Sequence, residues 1–282
     1  MKITSRLLQF LSIVSTLTPW IITTCMGRKS HVQQTLPASL RNTAFGVVLV
    51  DYSCPEDSGG WAEETFPREV ASGRLIVERV VGNSYFHKTA ALNQGARVAL
   101  QARATHLCFV DADTHLLPGF GTWTQEKLGA TAPRTLFISA LTQDGREIAE
   151  LYGLLLVEAA LFEAAGGYAE EFLGWGCEDF EMRLRLVLCH EASICEIPHQ
   201  YLAFIQHPFD RRSTHYNTKD WSISNSQNLL EVGRRVQQWT GKSLRELEGP
   251  ALRLGMQRHP VIYIKGQELQ HFAPLTRSEL KS

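Results

Sequence analysis

Two carboxylates one residue apart, Asp111 and Asp113, follow the apolar segment His106–Val110. Alternate side chains of a strand point to the same face, so both carboxylates would share a face if the strand continued. Like charges so placed repel each other unless a cation lies near them. Mg²⁺ and Mn²⁺ prefer such hard oxygen ligands and often bridge to phosphates. The triplet therefore predicts a divalent-metal site, with a solvated loop as the alternative interpretation.

A second acidic motif, Gly-Trp-Gly-Cys-Glu-Asp, occupies residues 174–179. Its glycines permit close backbone approach, and the ring of Trp175 offers an apolar face on which a sugar could stack. One of the carboxylates of Glu178 and Asp179 could act as a general base while the other binds a sugar hydroxyl. The same two residues could instead simply complement the dipole of the helix that they begin. Spacing alone leaves both interpretations open.

Histidines supply a further candidate ligand. His207 lies in the segment Gln-His-Pro-Phe-Asp-Arg-Arg, and His215 is nearby. Imidazole is a common ligand of transition metals. A histidine in a polar surface loop is the alternative, since the chain contains 10 histidines.

Lys88 begins a long predicted helix, in the segment Tyr85–Gly95. A phosphate is favoured at a helix N-terminus, so Lys88 could contact one; an ordinary solvated lysine is the alternative. Asn93 and Gly95 form helices poorly, which predicts a close contact or a hydrogen-bonded side chain at these positions.

The elements that must position these residues alternate between strands and helices. Predicted strands are Trp20–Thr24, Phe45–Val50, Leu75–Val81 and His106–Val110, and a helix is predicted over His87–Ala104. This alternation is typical of an α/β fold with a mainly parallel central sheet flanked by helices. Ligands of such sheets bind beyond the carboxyl ends of the strands. Three of the predicted strands end there in Thr24, Asp51 and the Asp111–Asp113 triplet.

Later segments predict helices over Glu158–Ala165, over a stretch that begins near residue 178, and over Asn228–Trp239 and Leu244–Leu254. We therefore expect a catalytic domain over residues 1–220 and a C-terminal helical extension over residues 221–282.

Composition excludes several classes of protein. The 282 residues carry 28 Lys+Arg against 29 Asp+Glu, which argues against a nucleic-acid-binding protein with a basic face. The six cysteines form no CxxC pair, so we expect no zinc ribbon, and free thiols in a reducing compartment. The apolar stretch Leu7–Ile22 contains too many polar residues to span a membrane and precedes no clear cleavage site. We expect a cytoplasmic protein whose only membrane contact, if any, is peripheral.

Together these motifs resemble nucleotide-sugar glycosyltransferases of the GT-A fold, and most of all the beta-1,4-galactosyltransferase group with its C-terminal galactosyltransferase domain. Phe86–Gly95 is similar to F-N-R-A-K-L-L-N-x-G, and Asp111–Pro118 to a D-V-D motif followed by leucine and proline. Residues 166–168 and 174–179 resemble the G-W-G-x-E-D-D region, until Phe180 replaces the third acid. Residues 207–212 are similar to an H-x-x-D-basic-basic stretch. The likeness covers about residues 20–215.

The resemblance implies an inverting transfer of a galactose or N-acetylhexosamine type of sugar from a UDP-sugar to a hydroxyl of a glycan or lipid-linked acceptor, with Mn²⁺ or Mg²⁺. Inversion is favoured because one base and no separate nucleophile is evident. The residues that would carry these roles fall into three groups. Donor-binding residues would be Thr23, Thr24, Arg28, Asp51, Phe86, Lys88, Asp111 and Trp175, with Lys88 at the phosphates and Trp175 on a loop that closes over the donor. Metal ligands would be Asp111, Asp113 and His207. The catalytic pair would be Asp179 as base and Glu178 as acceptor ligand.

One departure from that group concerns the metal. The galactosyltransferases use a methionine three residues before the histidine, where this chain has Phe204, so a water or His215 would have to complete the shell. This loss motivates an alternative, a non-catalytic nucleotide-sugar or glycan-binding scaffold. A phosphotransferase is a further alternative, although the chain has no glycine-rich phosphate loop. Other sugar-polymerising enzymes share the W-G-x-E region, so the donor sugar stays open.

Overall fold

The computed structural model describes residues 17–140, 149–206 and 213–248, together with two short strands at 263–264 and 267–268. Eleven strands occur in these ranges: β1 (Pro19–Cys25), β2 (Gly46–Tyr52), β3 (Leu75–Val80), β4 (His106–Phe109), β5 (Thr114–Leu116), β6 (Thr135–Ser139), β7 (Leu155–Glu158), β8 (Ser193–Ile197), β9 (Leu202–Phe204), β10 (Tyr263–Ile264) and β11 (Gln267–Glu268). The eight α-helices are α1 (Lys29–Arg41), α2 (Ser58–Thr65), α3 (Pro67–Ala71), α4 (Lys88–Gln101), α5 (Phe120–Ala130), α6 (Ala159–Ala164), α7 (Glu178–His190) and α8 (Trp221–Thr240).

Seven strands form the central sheet, in the order β3-β2-β1-β4-β7-β6-β8. Strands β3, β2, β1 and β4 are parallel to one another, and β6 and β8 are also parallel to each other. Strand β7 is antiparallel to both β4 and β6. The mainly parallel α/β sheet predicted from the sequence is therefore confirmed, with β7 as the exception.

Both faces of β1, β2 and β4 are buried, which explains why their sequences are largely apolar, whereas the edge strand β3 is mostly only partly buried and contains Glu78 and Arg79. Alternate residues pack into two core clusters on opposite sides of the sheet. One side takes Ile22, Val48, Val50, Leu107 and Phe109, and the other takes Ile21, Val47, Leu49 and Cys108. Polar residues appear where these strands reach their carboxyl ends, which is where a ligand can be met.

Helix α4 lies against β1 and β2, and its two poor helix formers have structural reasons. The amide of Asn93 donates to the Tyr168 carbonyl at 2.9 Å and accepts from the Tyr168 N–H at 2.8 Å. A Cβ at Gly95 would lie 2.5 Å from Cγ2 of Ile22. The predicted bonded side chain and close contact are both confirmed.

Helix α8 packs on the same core as the sheet. Val232 and Val236 are completely buried in the cluster that also contains Leu184 of α7. The helix predicted over Leu244–Leu254 is wrong in the part that can be assessed, where only a short 3-10 helix occupies Leu244–Glu246. Strands β10 and β11 pair antiparallel further along. The division of the chain at residue 220 stays a prediction.

Two further findings concern membrane-spanning helices and the cysteines. Within the described ranges, no helix combines the length and apolar character needed to cross a membrane; most of the stretch Leu7–Ile22, residues 7–16, lies outside them. All six cysteines are described, and all are free thiols.

Candidate active site

The predicted functional residues converge on the carboxyl-terminal edge of the parallel strands. Thr23 and Thr24 lie in β1, Asp51 lies in β2, and Asp111 follows β4, and these three strands are neighbours in the sheet. The N-termini of α4 and α7 reach the same edge from the loops that precede them. Residues separated by more than ninety positions thereby come into contact.

The ammonium of Lys88, the first residue of α4, lies at the centre of this site. Its Nζ is 3.0 Å from Oδ1 of Asp111, 3.0 Å from Oε1 of Glu178 and 2.9 Å from Oδ2 of Asp179. Glu178 and Asp179 are the first two residues of α7, and both are buried. We call these four side chains the Lys88 cluster. It joins the metal-motif side of the site to the predicted catalytic pair.

Burial and mutual charge set the protonation of the cluster. Burial disfavours the ammonium of Lys88, but the charges of Asp111, Asp179 and Glu178 outweigh it and hold its pKa well above the usual range. Burial also opposes ionisation of Glu178, yet Lys88 is close enough to lower its pKa. For Asp179, burial outweighs the stabilising charge of Lys88, and the repulsion of Glu178 and Asp111 adds to the rise, so its pKa is about 7.

Asp179 therefore has the properties of a general base at neutral pH. Its Oδ2 is held by Lys88, whereas its Oδ1 is buried with no hydrogen-bond partner among the residues that the structure describes. A carboxylate that titrates near the working pH is best matched to accept a proton from a hydroxyl.

The Asp111–Asp113 triplet lies in a turn rather than on a strand. The Thr114 N–H donates to the Asp111 carbonyl at 3.0 Å, which closes the turn, and β5 begins only at Thr114. The strand-based argument that both carboxylates share a face is thus wrong. The two charges nevertheless interact. Burial raises the pKa of Asp111, the charge of Lys88 opposes this rise, and the charge of Asp113 adds to it.

Gly153 packs against the Asp111 carboxylate from the segment before β7. A Cβ at this position would lie 2.0 Å from Oδ2 of Asp111. The fully buried Arg183 of α7 fixes the segment, because its guanidinium donates to the carbonyls of Tyr152 and Leu154 and stacks 4.1 Å from the centre of the Tyr152 ring. No sequence signal pointed to Gly153, since a lone glycine in a loop has many uses.

The residues of the site fit a hard divalent cation in their chemistry. Asp111, Asp113, Glu178 and Asp179 bring four carboxylates to one edge, and Lys88 supplies a single compensating charge. The third predicted ligand, His207, lies outside the described residues. In the ranges that are described, however, no group of three or more His, Cys, Asp or Glu side chains is arranged so that it could hold a metal ion.

Phe204 stands where the galactosyltransferases have a methionine ligand, and His215 is the residue that could replace that ligand; both lie close to the backbone of the site. Phe204 is paired with Thr114 in the β5–β9 ladder, and the next N–H, of Ile205, donates to the Asp113 carbonyl at 2.8 Å. The ring of His215 packs on Gly27 just after β1. Whether His215 binds a metal stays a prediction.

Of the predicted donor-binding residues, Asp51 has both carboxylate oxygens engaged by the backbone. Oδ1 accepts from the Cys54 N–H at 2.8 Å, and Oδ2 accepts from the Gly59 N–H at 2.6 Å. Asp51 thus anchors the loop that leads into α2. Thr23 and Thr24 are buried, and Arg28 precedes α1, with its guanidinium 3.3 Å from Nδ1 of His31. Nucleotide contacts of these residues stay predictions.

Aromatic residues border the cluster. Phe86 makes edge contacts with Tyr52 and with Tyr216, whose ring centroids lie 5.8 Å and 5.4 Å from its own. The sequence did not indicate Tyr216, which is buried beside the cluster; burial raises its pKa, and the charge of Glu178 adds to the rise. Only its position after His215 could have suggested it.

The loop of the second acidic motif is held by α8. Gly174 and Gly176 have φ values of 75° and 103°, in the region that favours glycine, as their sequence pattern predicts. The Trp175 N–H donates to the Ser224 hydroxyl at 3.1 Å, and the Trp175 ring meets that of Trp221 edge-on. Asn228 donates to the Leu173 and Gly176 carbonyls at 3.1 Å and 2.8 Å.

Comparisons with known proteins agree with this fold. A sequence-family profile described as the N-terminal domain of galactosyltransferase matches residues 143–208, less than half of the chain. No curated protein sequence matches the chain.

Among solved structures, the chain is similar to S. aureus TarS 1-349, with a TM-score of 0.54 and 15% identity over 86% of this chain and 70% of that chain. The crystal structure of the same protein with UDP-GlcNAc gives a TM-score of 0.56 and 14% identity, over 82% and 68% of the two chains. The structure with UDP gives 0.51 and 15%, over 79% and 73%. The GT-A fold is thereby confirmed, and together with the family match it supports a nucleotide-sugar glycosyltransferase.

Proposed function

We propose that the chain is an inverting, metal-dependent glycosyltransferase that moves a galactose or N-acetylhexosamine type of sugar from a UDP-sugar to a hydroxyl acceptor. The observation that carries the proposal is the Lys88 cluster at the ligand-binding edge of a GT-A sheet, with a buried Asp179 whose pKa is about 7. The UDP and UDP-GlcNAc bound by the TarS structures support the choice of donor class.

Asp179 removes the proton of the acceptor hydroxyl in this proposal. The hydroxyl is a weak acid, so its proton must leave as the new bond forms. Oδ1 of Asp179 is the atom that receives it, because Oδ2 is already held by Lys88 at 2.9 Å. Glu178, ionised beside Lys88, accepts a hydrogen bond from a second hydroxyl of the acceptor and orients it.

The donor lies on the side of Asp111, Asp113 and His207, which would hold Mn²⁺ or Mg²⁺. The ion supplies positive charge against which the departing diphosphate is stabilised. Thr23, Thr24, Arg28, Asp51 and Phe86 line the nucleotide in this proposal, and Trp175 closes over the sugar. Lys88 contributes a positive charge between the donor and the acceptor.

A single displacement inverts the configuration at the anomeric carbon. Lys88 pairs with both carboxylates at the start of α7, but only Asp179 keeps a buried oxygen, Oδ1, with no hydrogen-bond partner among the described residues. The arrangement supports inversion because this oxygen can act as the base, while Glu178 binds the acceptor in this proposal and no separate nucleophile is required. NMR of the product measures the anomeric configuration directly. A product that retains the donor's configuration would show this part to be wrong.

The acceptor is a glycan or a lipid-linked sugar in this proposal, and the location is cytoplasmic with peripheral membrane contact at most. We also retain the division into a catalytic domain over 1–220 and an extension over 221–282, in which α8 steadies the loop of Trp175.

The central experiment measures UDP release from a panel of UDP-sugars with Mn²⁺, for the wild type and for Asp179→Asn. Asparagine keeps the shape of the side chain and cannot accept the proton, so we expect turnover to fall by about 10²–10⁴-fold. The matched control is Glu126→Gln, which makes the same carboxylate-to-amide change at an exposed residue of α5. Tight UDP binding without turnover by the wild type would instead favour the non-catalytic scaffold.

A further inference from the structure

A pair of cysteines lies next to the predicted nucleotide pocket and has no part in the proposed transfer. Cys25 is the last residue of β1, and Cys54 lies in the loop just after β2, which is the neighbouring strand. Their Sγ atoms are 3.8 Å apart. The hydroxyl of Ser58 contacts both, at 3.1 Å from Sγ of Cys25 and 3.0 Å from Sγ of Cys54.

The two thiols differ in exposure and in pKa, as a nucleophilic thiol and a resolving thiol do in thiol–disulfide exchange. Cys54 is half-buried, whereas Cys25 is 1% exposed. The hydrogen bond from Cys25 is the main cause that lowers the pKa of Cys54 to about 5, and the contacts of Ser58 and the Gly27 N–H add to it against burial. The same contact with Cys54, together with burial, raises the pKa of Cys25. Cys54 is therefore a thiolate nucleophile that oxidants can reach, and Cys25 is a resolving thiol.

We propose that Cys54 and Cys25 form a reversible disulfide by exchange with a low-molecular-weight disulfide, and that this modification weakens donor binding. The second half of the statement rests on the proposed function. The first half concerns only the chemistry of the thiol pair.

The exchange balances in two steps. The Cys54 thiolate attacks one sulfur of oxidised glutathione, which forms a mixed disulfide and releases one glutathione thiolate. Cys25 then gives up its proton to the solvent, and its sulfur displaces the second glutathione thiolate from Cys54. Both protein thiols are oxidised, and one oxidised glutathione is reduced to two glutathiones.

The consequence for the donor follows from the backbone of Cys54. Its N–H donates to Oδ1 of Asp51, whose other oxygen holds Gly59 at the start of α2. The Sγ atoms must approach from 3.8 Å to about 2.0 Å to form the bond. Because Ser58 contacts both sulfurs and the Cys54 N–H holds Asp51, we expect this approach to displace the loop anchored by Asp51, which the proposed function places at the nucleotide.

The test incubates the full chain with oxidised glutathione, maps disulfides by mass spectrometry and measures UDP affinity with Mn²⁺ by calorimetry. We expect a peptide pair that links Cys25 to Cys54 and is two hydrogens lighter, reversal by dithiothreitol, and UDP affinity about tenfold weaker, the loss expected for one misplaced hydrogen bond to a charged group.

Variants separate the steps. Cys25→Ser should trap glutathione on Cys54, because serine keeps a hydrogen-bond donor beside Cys54 but cannot resolve the mixed disulfide. Cys54→Ser should prevent any linkage. Cys189→Ser is the matched control, because Cys189 is an exposed cysteine and the partial removal of its sulfur from water raises its pKa. If Cys25→Ser does not fold, the wild-type peptide map still decides the linkage.

Several results would overturn the inference, a part of it, or the proposed function on which its second half rests. A pair that stays reduced, or a mixed disulfide that persists on wild-type Cys54, disproves the modification site. A disulfide that leaves UDP affinity unchanged disproves its effect on the donor. If the reduced protein fails to bind UDP, the proposed function is what fails, while the peptide map still decides the chemistry of the pair.

Discussion

Burial raises the pKa of Asp179 and the charge of Lys88 lowers it, and this opposition allows a prediction about pH. The carboxylate must be ionised to act as a base, so wild-type kcat/KM should rise as pH increases through about 7. Lys88 lowers the pKa of Asp179, and its removal in Lys88→Met therefore leaves the carboxylate harder to ionise. The acidic limb should move to higher pH in this variant.

Lys88→Arg is the control for that measurement, since it keeps the charge. A lower kcat with an unshifted limb in Lys88→Met would mean that Lys88 acts on another step, such as its predicted contact with the phosphates.

Gly153 allows a second prediction, because it tests Asp111 without altering it. The Cβ of Gly153→Ala would overlap Oδ2 of Asp111, whose side chain can rotate away at little cost to the fold. We expect the concentration of Mn²⁺ needed for half-maximal UDP release to rise by about 10–100-fold, as when the support of a metal ligand is disturbed. Thermal unfolding should be nearly unchanged.

Gly129→Ala is the matched substitution, because no atom lies within 4 Å of the added Cβ. Equal Mn²⁺ requirements in the wild type and Gly153→Ala would show that Asp111 is not positioned by this contact or does not serve the metal.

These residues show where prediction from sequence ends. The motifs indicated Asp111, Glu178, Asp179 and Lys88 separately, because each stands at the end of a strand or the start of a helix. Their joint contact depends on how α4 and α7, 91 positions apart at Lys88 and Asp179, reach one edge. Sequence periodicity contains no information on the distance in space between the N-termini of these two helices.

At the scale of elements, α8 supports the loop of the second acidic motif. Asn228 is buried and donates to the carbonyls on both sides of Trp175. Asn228→Ala leaves two carbonyls without this donor, which should lower the free energy of unfolding by about 1–3 kcal/mol. Because the loop would then be less ordered, we expect a higher KM for the donor than in the wild type, measured by UDP release.

Gln227→Ala serves as the reference for Asn228→Ala, since Gln227 is exposed on the same helix. A destabilised Asn228→Ala protein with unchanged KM would separate the loop from donor binding.

Elements with strong local signals were predicted well, and others were not. Strands β1, β2 and β4 are largely apolar runs with polar residues at or just after their ends, and β3 is an apolar run interrupted by Glu78 and Arg79, so these patterns located all four. Strands β6, β7 and β8 were not predicted, although β6 is also a short buried run, and the last residue of β7, Glu158, was assigned to the helix that follows. The antiparallel insertion of β7 is a property of topology, which local patterns do not specify.

At the scale of the whole molecule, charge is concentrated rather than spread. The net charge of −1 gives no general attraction for an anionic donor. The site instead holds one buried ammonium among carboxylates, and a divalent ion would offset their remaining negative charge. Under the proposed function, recognition of the donor's diphosphate depends on this local arrangement and not on a general positive charge, in agreement with the balanced composition.

The core that α8 shares with the sheet allows a final prediction about the C-terminal extension, residues 221–282. Val232 of α8 is completely buried in the same cluster as Leu107 of β4 and Leu184 of α7. Val232→Ala should lower the free energy of unfolding of the whole fold by about 2 kcal/mol, with a single transition by circular dichroism and by tryptophan fluorescence. Leu230→Ala is the control, because Leu230 is 55% exposed. Two separate transitions would show that α8 unfolds independently of the sheet.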